Sequence, residues 1–133
     1  MPDLTAGILG FGVGAAGQGL AYACVASTDN TNAAYWNPAG IVRNNHTQWE
    51  ISAMHSEWFG GIGKYDYLGV TLPGKNEKQR IALSLIRFGV DDIPNTLSLY
   101  NEDGTVNFDN LSSFSASDYA FLFSYSKKIF LAQ

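Results

Sequence analysis

Charge is what this sequence most lacks. Only 15% of its 133 residues are Asp, Glu, Lys or Arg, against about a quarter in an ordinary soluble domain. The few charges sum to -4, without the basic face that a nucleic-acid binder needs, so nucleic acid is excluded as a partner. Cysteine is nearly absent too. A lone Cys24 excludes an intramolecular disulfide framework and a multi-cysteine zinc site. It lies among small apolar residues and is expected to be buried rather than nucleophilic. His46 and His55 are the only histidines, and their spacing offers no metal-ligand geometry; both read as surface or lumen imidazoles. No serine stands in a Gly-x-Ser-x-Gly elbow. The adjacent acids Asp91 and Asp92, beside Ile93 and Pro94, read as a solvated loop start rather than a catalytic pair. The expectation is a protein that is not an enzyme and carries no metal or cofactor.

A membrane helix is also missing. Leu4 to Thr28 contains no charged residue, long enough to test as a span. However, Gly7, Gly10, Gly12, Gly14, Gly17 and Gly19 interrupt it, each weakening a helix by about 1 kcal/mol relative to alanine. The chain opens Met1-Pro2-Asp3, without the positive stretch that begins a secretory signal. Either an export signal lies upstream or the protein is not exported.

What is present is glycine, aromatic side chains and alternation. The length suits one domain. Residues 1–44 are rich in Gly, Ala and Asn and show no sustained periodicity. Beyond them, Trp49, Ile51 and Ala53 oppose Gln48, Glu50 and Ser52. Asp66, Leu68, Val70 and Leu72 oppose Tyr65, Tyr67, Gly69 and Thr71. In Arg80–Phe88, Ile81, Leu83 and Leu85 oppose Ala82, Ser84 and Ile86. Tyr119, Phe121, Phe123 and Tyr125 share a face against Ala120, Leu122 and Ser124. Period two bounded by turn residues marks strands, and no segment has a helical period. Pro73-Gly74-Lys75-Asn76 is a turn, and the polar stretch Gly89–Ser117 reads as a loop. The fold class is therefore all-β and antiparallel, after a glycine-rich leader. Short turns and one long connection match a membrane barrel with its long loop outside; parity then puts Pro73-Gly74, the leader and Lys127-Lys128 on the periplasmic side. In Tyr119–Tyr125, tyrosines flank phenylalanines, the pattern of a lipid-facing strand.

Gly12-x-Gly14-x-x-Gly17 matches the dinucleotide fingerprint, with Asp29 near the offset of the ribose-binding acid. Its surroundings oppose that use. Ser27–Asn32 is turn-like, leaving little room for a helix and a second strand, and hairpin-length turns argue against a parallel sheet. A soluble dinucleotide-binding enzyme stays as the outside alternative.

Tyr35-Trp36-Asn37-Pro38-Ala39-Gly40 is the most distinctive run. Proline fixes its own φ and pushes Asn37 toward an extended conformation; Gly40 can take a positive φ. The wider run Gly12–Gly40 (Gly-Val-Gly-Ala-Ala-Gly-Gln-Gly, then Ala-Ser-Thr-Asp-Asn-Thr-Asn-Ala-Ala-Tyr-Trp-Asn-Pro-Ala-Gly) resembles the N-terminus of the PorV/PorQ family of outer-membrane barrels. That family belongs with the FadL-type hydrophobe channels, which share a similar Asn-Pro-Ala leader. Gly89–Thr96 (Gly-Val-Asp-Asp-Ile-Pro-Asn-Thr) and Phe114–Tyr125 extend the resemblance in the same order.

The resemblance implies a bacterial outer-membrane β-barrel, non-enzymatic, with residues 1–44 folded inward as a hatch. Residues 45–133 would supply the barrel's first strands. Four strand windows fall short of the roughly eight in the smallest barrels, so the chain is expected to be the front part of a longer protein. Tyr35 to Gly40 would form the hatch motif. Asp91, Asp92, Ile93, Pro94, Asn95 and Thr96 would lie in an extracellular loop. Tyr119, Phe121, Phe123 and Tyr125 would face lipid. The implied role is in type IX secretion, with secretion-system subunits and exported cargo proteins as partners beside membrane lipid. The alternative is a FadL-like channel for a hydrophobic ligand.

Overall fold

Alternation of small and large residues dictates four strands, and a computed structural model places them where the period of two runs cleanly. It describes residues 5–43, 48–76, 78–101 and 103–129. Strands β1 (Glu50–Trp58), β2 (Gly63–Pro73), β3 (Gln79–Asn95) and β4 (Ser112–Lys127) form one antiparallel meander in the order β1-β2-β3-β4. Among the described residues the sheet is open, with β1 and β4 at its edges.

Two corrections concern extent. The stretch Gly89–Ser117, expected as loop, contributes strand at both ends. β3 continues to Asn95 and β4 begins at Ser112, pairing Ile93 with Phe114 and Asn95 with Ser112 after a bulge between Val90 and Ile93. A hairpin partner supplies main-chain hydrogen bonds whatever the side chains, so polar composition did not prevent pairing. Asp91 to Asn95 thus lie on a bulged strand rather than in a loop, and Asp92 takes φ +55° at the bulge. Only Thr96 of the six expected loop residues falls in the connection itself. Pro94 is tolerated because β2 starts at Gly63, opposite Val90. Beyond that point β3 has no neighbour on its β2 side, an edge position where proline's missing N–H does little harm.

The second correction is the leader, which is helical in pieces: α1 (Thr5–Ile8), α2 (Ala15–Gly19), α3 (Ala33–Trp36) and a 3-10 helix (Pro38–Arg43). None exceeds six residues. Segments that short complete at most two turns, so no hydrophobic period can register in them.

The leader lies across one face of the sheet. Ile8 and Val13 pack with Tyr65, Tyr67 and Ile86, and Phe11, Met54, Trp58, Phe88 and Leu122 close around them. A smaller core joins Ala33, Ala34 and Ile41 to Ala82. The inward residues of β3 and β4 near the leader's second half are small (Ala82, Ser84, Ser124, Ser126), which lets its main chain approach closely. The expected facing of Arg80–Phe88 holds: Ala82 and Ser84 are buried toward the leader, while Leu83 is exposed on the opposite face.

Candidate functional site

The Tyr35–Gly40 run, the expected hatch motif, is built by main-chain restriction. Asn37 is extended (φ -161°, ψ 98°) before Pro38, which opens the 3-10 helix. The Asn37 Oδ1 accepts from the Ala39 amide at 3.2 Å, and the Gly40 amide donates to the Asn37 carbonyl at 2.8 Å. Gly40 is glycine for a different reason from the expected one. It has no positive φ; instead a Cβ there would strike the Thr28 carbonyl oxygen and approach Ala33 Cβ at 3.0 Å. Arg43 ties the same segment down, its Nη2 donating to the carbonyls of Ala26 (2.7 Å) and Thr28 (3.0 Å).

Tyr35 and Trp36 anchor the motif to the first part of the leader. Trp36 Nε1 donates to the Val13 carbonyl at 2.9 Å, the Tyr35 hydroxyl donates to the Leu9 carbonyl, and the two rings meet edge to face at 4.9 Å. Burial pushes the Tyr35 phenol above its ordinary pKa. This contact also explains the glycine fingerprint. A Cβ at Gly17 would meet the Trp36 indole at 3.0 Å, and one at Gly12 would press on both Tyr22 and Trp36. The helix after Gly14 has five residues and the sheet is antiparallel throughout. Gly12, Gly14 and Gly17 therefore lack the strand–turn–helix setting of a dinucleotide site, and Asp29 stands exposed on the leader.

Phe11 is the docking residue that sequence reasoning missed. Its ring stacks on Phe88 at 4.9 Å and meets Trp58 at 5.3 Å and Tyr65 at 5.5 Å. An aromatic flanked by Gly10 and Gly12 was the available signal. Elsewhere, hydroxyl and carboxylate groups hold the leader. Thr31 N donates to Glu50 Oε2 at 3.2 Å, Ser52 Oγ to Asn32 Oδ1 at 2.9 Å and Ser124 Oγ to the Ala34 carbonyl at 3.4 Å; Ser126 Oγ donates to the Pro38 carbonyl.

Among the described residues, the other face of the sheet has no layer on it. The register sets its side chains in rows across all four strands: Ala53, Leu68, Leu85 and Phe121; then Ile51, Val70, Leu83 and Phe123; then Leu72, Ile81 and Tyr125. Phe121 is 80% and Phe123 70% exposed, and Ile51, Leu68 and Leu83 are about half exposed or more. A shallow apolar depression of about 400 Å³ lies among them. The Tyr119–Tyr125 ladder thus shares one exposed face, as its spacing requires.

One charged row bounds this apolar field: His55, Asp66, Arg87 and Tyr119 are direct neighbours across the strands. His55 Nδ1 lies 2.6 Å from Asp66 Oδ1, and Arg87 Nη1 donates to Asp66 Oδ2 at 3.0 Å. Above it, Lys64 pairs with Asp91 at 2.7 Å. This alignment was hidden in the sequence, because it needs the register of three hairpins. Among the described residues no three His, Cys, Asp or Glu are grouped to hold a metal ion. Cys24 is buried in the leader, and His46 lies outside the described residues. No helix of the described residues is long and apolar enough to cross a membrane. No family model, curated protein or solved structure matches this chain.

Proposed function

We propose that this chain forms part of an outer-membrane β-barrel, its leader lining the lumen as a hatch and its bare apolar face turned to lipid. One observation carries the reading: an antiparallel meander whose inner face is covered by its own leader exposes three apolar rows on the other face. Contiguous apolar surface of that extent marks a protein or membrane contact. Tyrosines at both ends of the β4 ladder and a charged row along one border favour the membrane, where amphipathic and charged groups sit at the interfaces.

The dimensions bear on this. Tyr119 and Tyr125 are six residues apart, about 20 Å along a strand, and a tilt of about 40° reduces that to roughly 15 Å along the normal. The usual apolar band is about 25 Å tall, so the ladder is shorter than that band, and the lipid-facing reading requires the bilayer to thin here or the tyrosine rings and the His55–Asp66–Arg87 row to reach outward to the headgroups. The outer membrane is thinner than average, which eases the fit. Width matters as well. A barrel of about eight strands has room inside only for side chains, so a sheet carrying the leader on its inner face belongs in a wider one.

Within this reading the role is non-enzymatic and secretion-associated, handling exported proteins at the cell surface. The Gly12–Gly40, Gly89–Thr96 and Phe114–Tyr125 blocks support it through their PorV/PorQ resemblance. The second reading, a channel for hydrophobic small molecules, is favoured by the aromatic lining beneath the leader, where Trp58, Tyr65, Tyr67 and Phe88 would meet an apolar solute if the leader moved. Fluorophores at Leu83 and Phe123, compared with Ser84, test the facing in vesicles containing lipid-borne quenchers. Strong quenching at the first two and weak quenching at Ser84 is expected; equal quenching refutes the lipid-facing assignment. Cells lacking the protein then separate the two roles, as one predicts retained exported proteins and the other impaired hydrophobe uptake.

A further inference from the structure

At the end of the sheet remote from the Pro73 turn, a cleft of about 500 Å³ opens between the β1–β2 turn and the bulged part of β3. Ile62, Ile93 and Pro94 give it an apolar lining, with the Gly60-Gly61 backbone along one side. Ile62 is 60% exposed beside it. Two carboxylates, Asp91 and Asp92, stand at its border. Asp91 is occupied by Lys64, whereas Asp92 has no ion-pair partner among the described residues. Beyond Val90, β3 has no strand on its β2 side, so an extended chain can lie beside it there.

Charge selects the occupant. Between Phe88 and Ser126 the sequence has Asp91, Asp92, Glu102, Asp103, Asp109 and Asp118 and no Lys or Arg. The rest of the chain carries all eight basic residues against six acidic ones. Two of those bases, Lys64 and Arg87, reach toward this end of the sheet, and both are already ion-paired. The connection that follows β3 also exposes Leu97, Tyr100 and Phe108. A polypeptide bearing alternate basic and apolar side chains complements such a surface in both respects; an anionic lipid headgroup complements neither.

We propose that the cleft between the Phe59–Ile62 turn and Val90–Pro94 binds an extended basic polypeptide segment. Its aliphatic side chains would pack on Ile62, Ile93 and Pro94, and its cationic group would pair with Asp92. This inference does not rest on the membrane reading. The test uses the full chain in non-ionic detergent and fluorescence anisotropy of a labelled peptide of alternating arginine and valine, with a glutamate–valine peptide as control. The cationic peptide is expected to bind, and the acidic peptide to show no binding. Asp92→Asn should weaken binding at least about tenfold, the size of a lost charge-assisted hydrogen bond. Asn tolerates the positive φ at this position, so the variant keeps its fold. Ile62→Ser, on an exposed turn, should weaken binding several-fold. Asp109→Asn, in the same acidic half but outside the cleft, should leave affinity within about twofold. Equal losses for Asp92→Asn and Asp109→Asn, or no loss for Ile62→Ser, would mean diffuse attraction and overturn the cleft. Because the assay reads peptide capture and not lipid contact, it stands or falls separately from the quenching experiment.

Discussion

An arginine placed at successive heights of the β4 ladder distinguishes a lipid-facing sheet from one that meets water. Phe123 sits in the row of Ile51, Val70 and Leu83, two rows from the charged border at Arg87 and Tyr119. Four residues separate Phe123 from Tyr119, about 13 Å along the strand. At the bilayer midplane an outward arginine costs about 2–4 kcal/mol, falling to about 0–1 near the interface. Phe123→Arg should therefore reduce the folding equilibrium in vesicles roughly 30- to 900-fold, and Tyr119→Arg by about fivefold at most. If the face met water instead, a side chain already 70% exposed would tolerate either change within about 0.5 kcal/mol. The assay is denaturant titration of the chain reconstituted in vesicles, followed by tryptophan fluorescence and repeated in detergent. A cost at 123 no larger than at 119 refutes the lipid-facing ladder. Ser124→Arg is not a neutral control. Ser124 is buried against Ala34 and donates to its carbonyl, so arginine there should expel the leader in any solvent.

Further expected outcomes concern the leader and the charged row. Gly40→Ala should push the 3-10 helix off Thr28 and expose Cys24, measured as faster reaction with a thiol reagent; an unchanged rate would show that the Gly40 contact does not hold the leader. Phe11→Ala should destabilise docking by about 2 kcal/mol, below the roughly 3–5 of a fully buried phenylalanine because Phe11 is half-buried, and limited proteolysis between residues 5 and 43 reads it. Arg87→Gln should change stability by less than about 1 kcal/mol, since Arg87 and Asp66 both keep part of their side chains in contact with solvent, and a larger loss in denaturant titration would mean the row is desolvated.

The facing of Arg80–Phe88 was legible because size alternation encodes it, whereas β2 turns its large Tyr65 and Tyr67 toward the leader and its inward face could not be read from size. Ala82 and Ser84 between Ile81, Leu83 and Leu85 leave one arrangement that admits a close-packed leader, and the structure adopts it. The ends of β3 and β4 were not legible. Asp91, Asp92 and Pro94 carry local turn propensity, and only the facing strand, distant in sequence, supplies the pairing that overrides it. The hatch motif was half legible: proline's effect on Asn37 is local, whereas Gly40 answers to Thr28, twelve residues away. The Gly12–Gly17 match shows the converse. Identical residue spacing serves a dinucleotide in one setting and the Trp36 indole in this one, and only the setting separates them.

The distribution of side-chain size on β3 and β4 bears on the proposed facing by a route independent of the charge pattern. A β-sheet buried on one face normally turns its large apolar residues toward the covering layer. Here β4 does the opposite over residues 120–126, apart from the inward Leu122: Phe121, Phe123 and Tyr125 point away from the leader, while Ala120, Ser124 and Ser126 lie beneath or beside it. β3 repeats this with Leu83 outward and Ala82 and Ser84 inward. Burying Phe121 and Phe123 would contribute about 1.5–3 kcal/mol each, and the leader forgoes it, docking that end of the sheet through serine hydroxyls. Phe121 and Phe123 thus stay largely exposed among the described residues, while Trp58, Tyr65 and Phe88 pack toward the leader at the other end of the sheet. The small inward residues of β3 and β4 follow from the close approach of the leader, and the proposed lipid contact would account for the three outward rows.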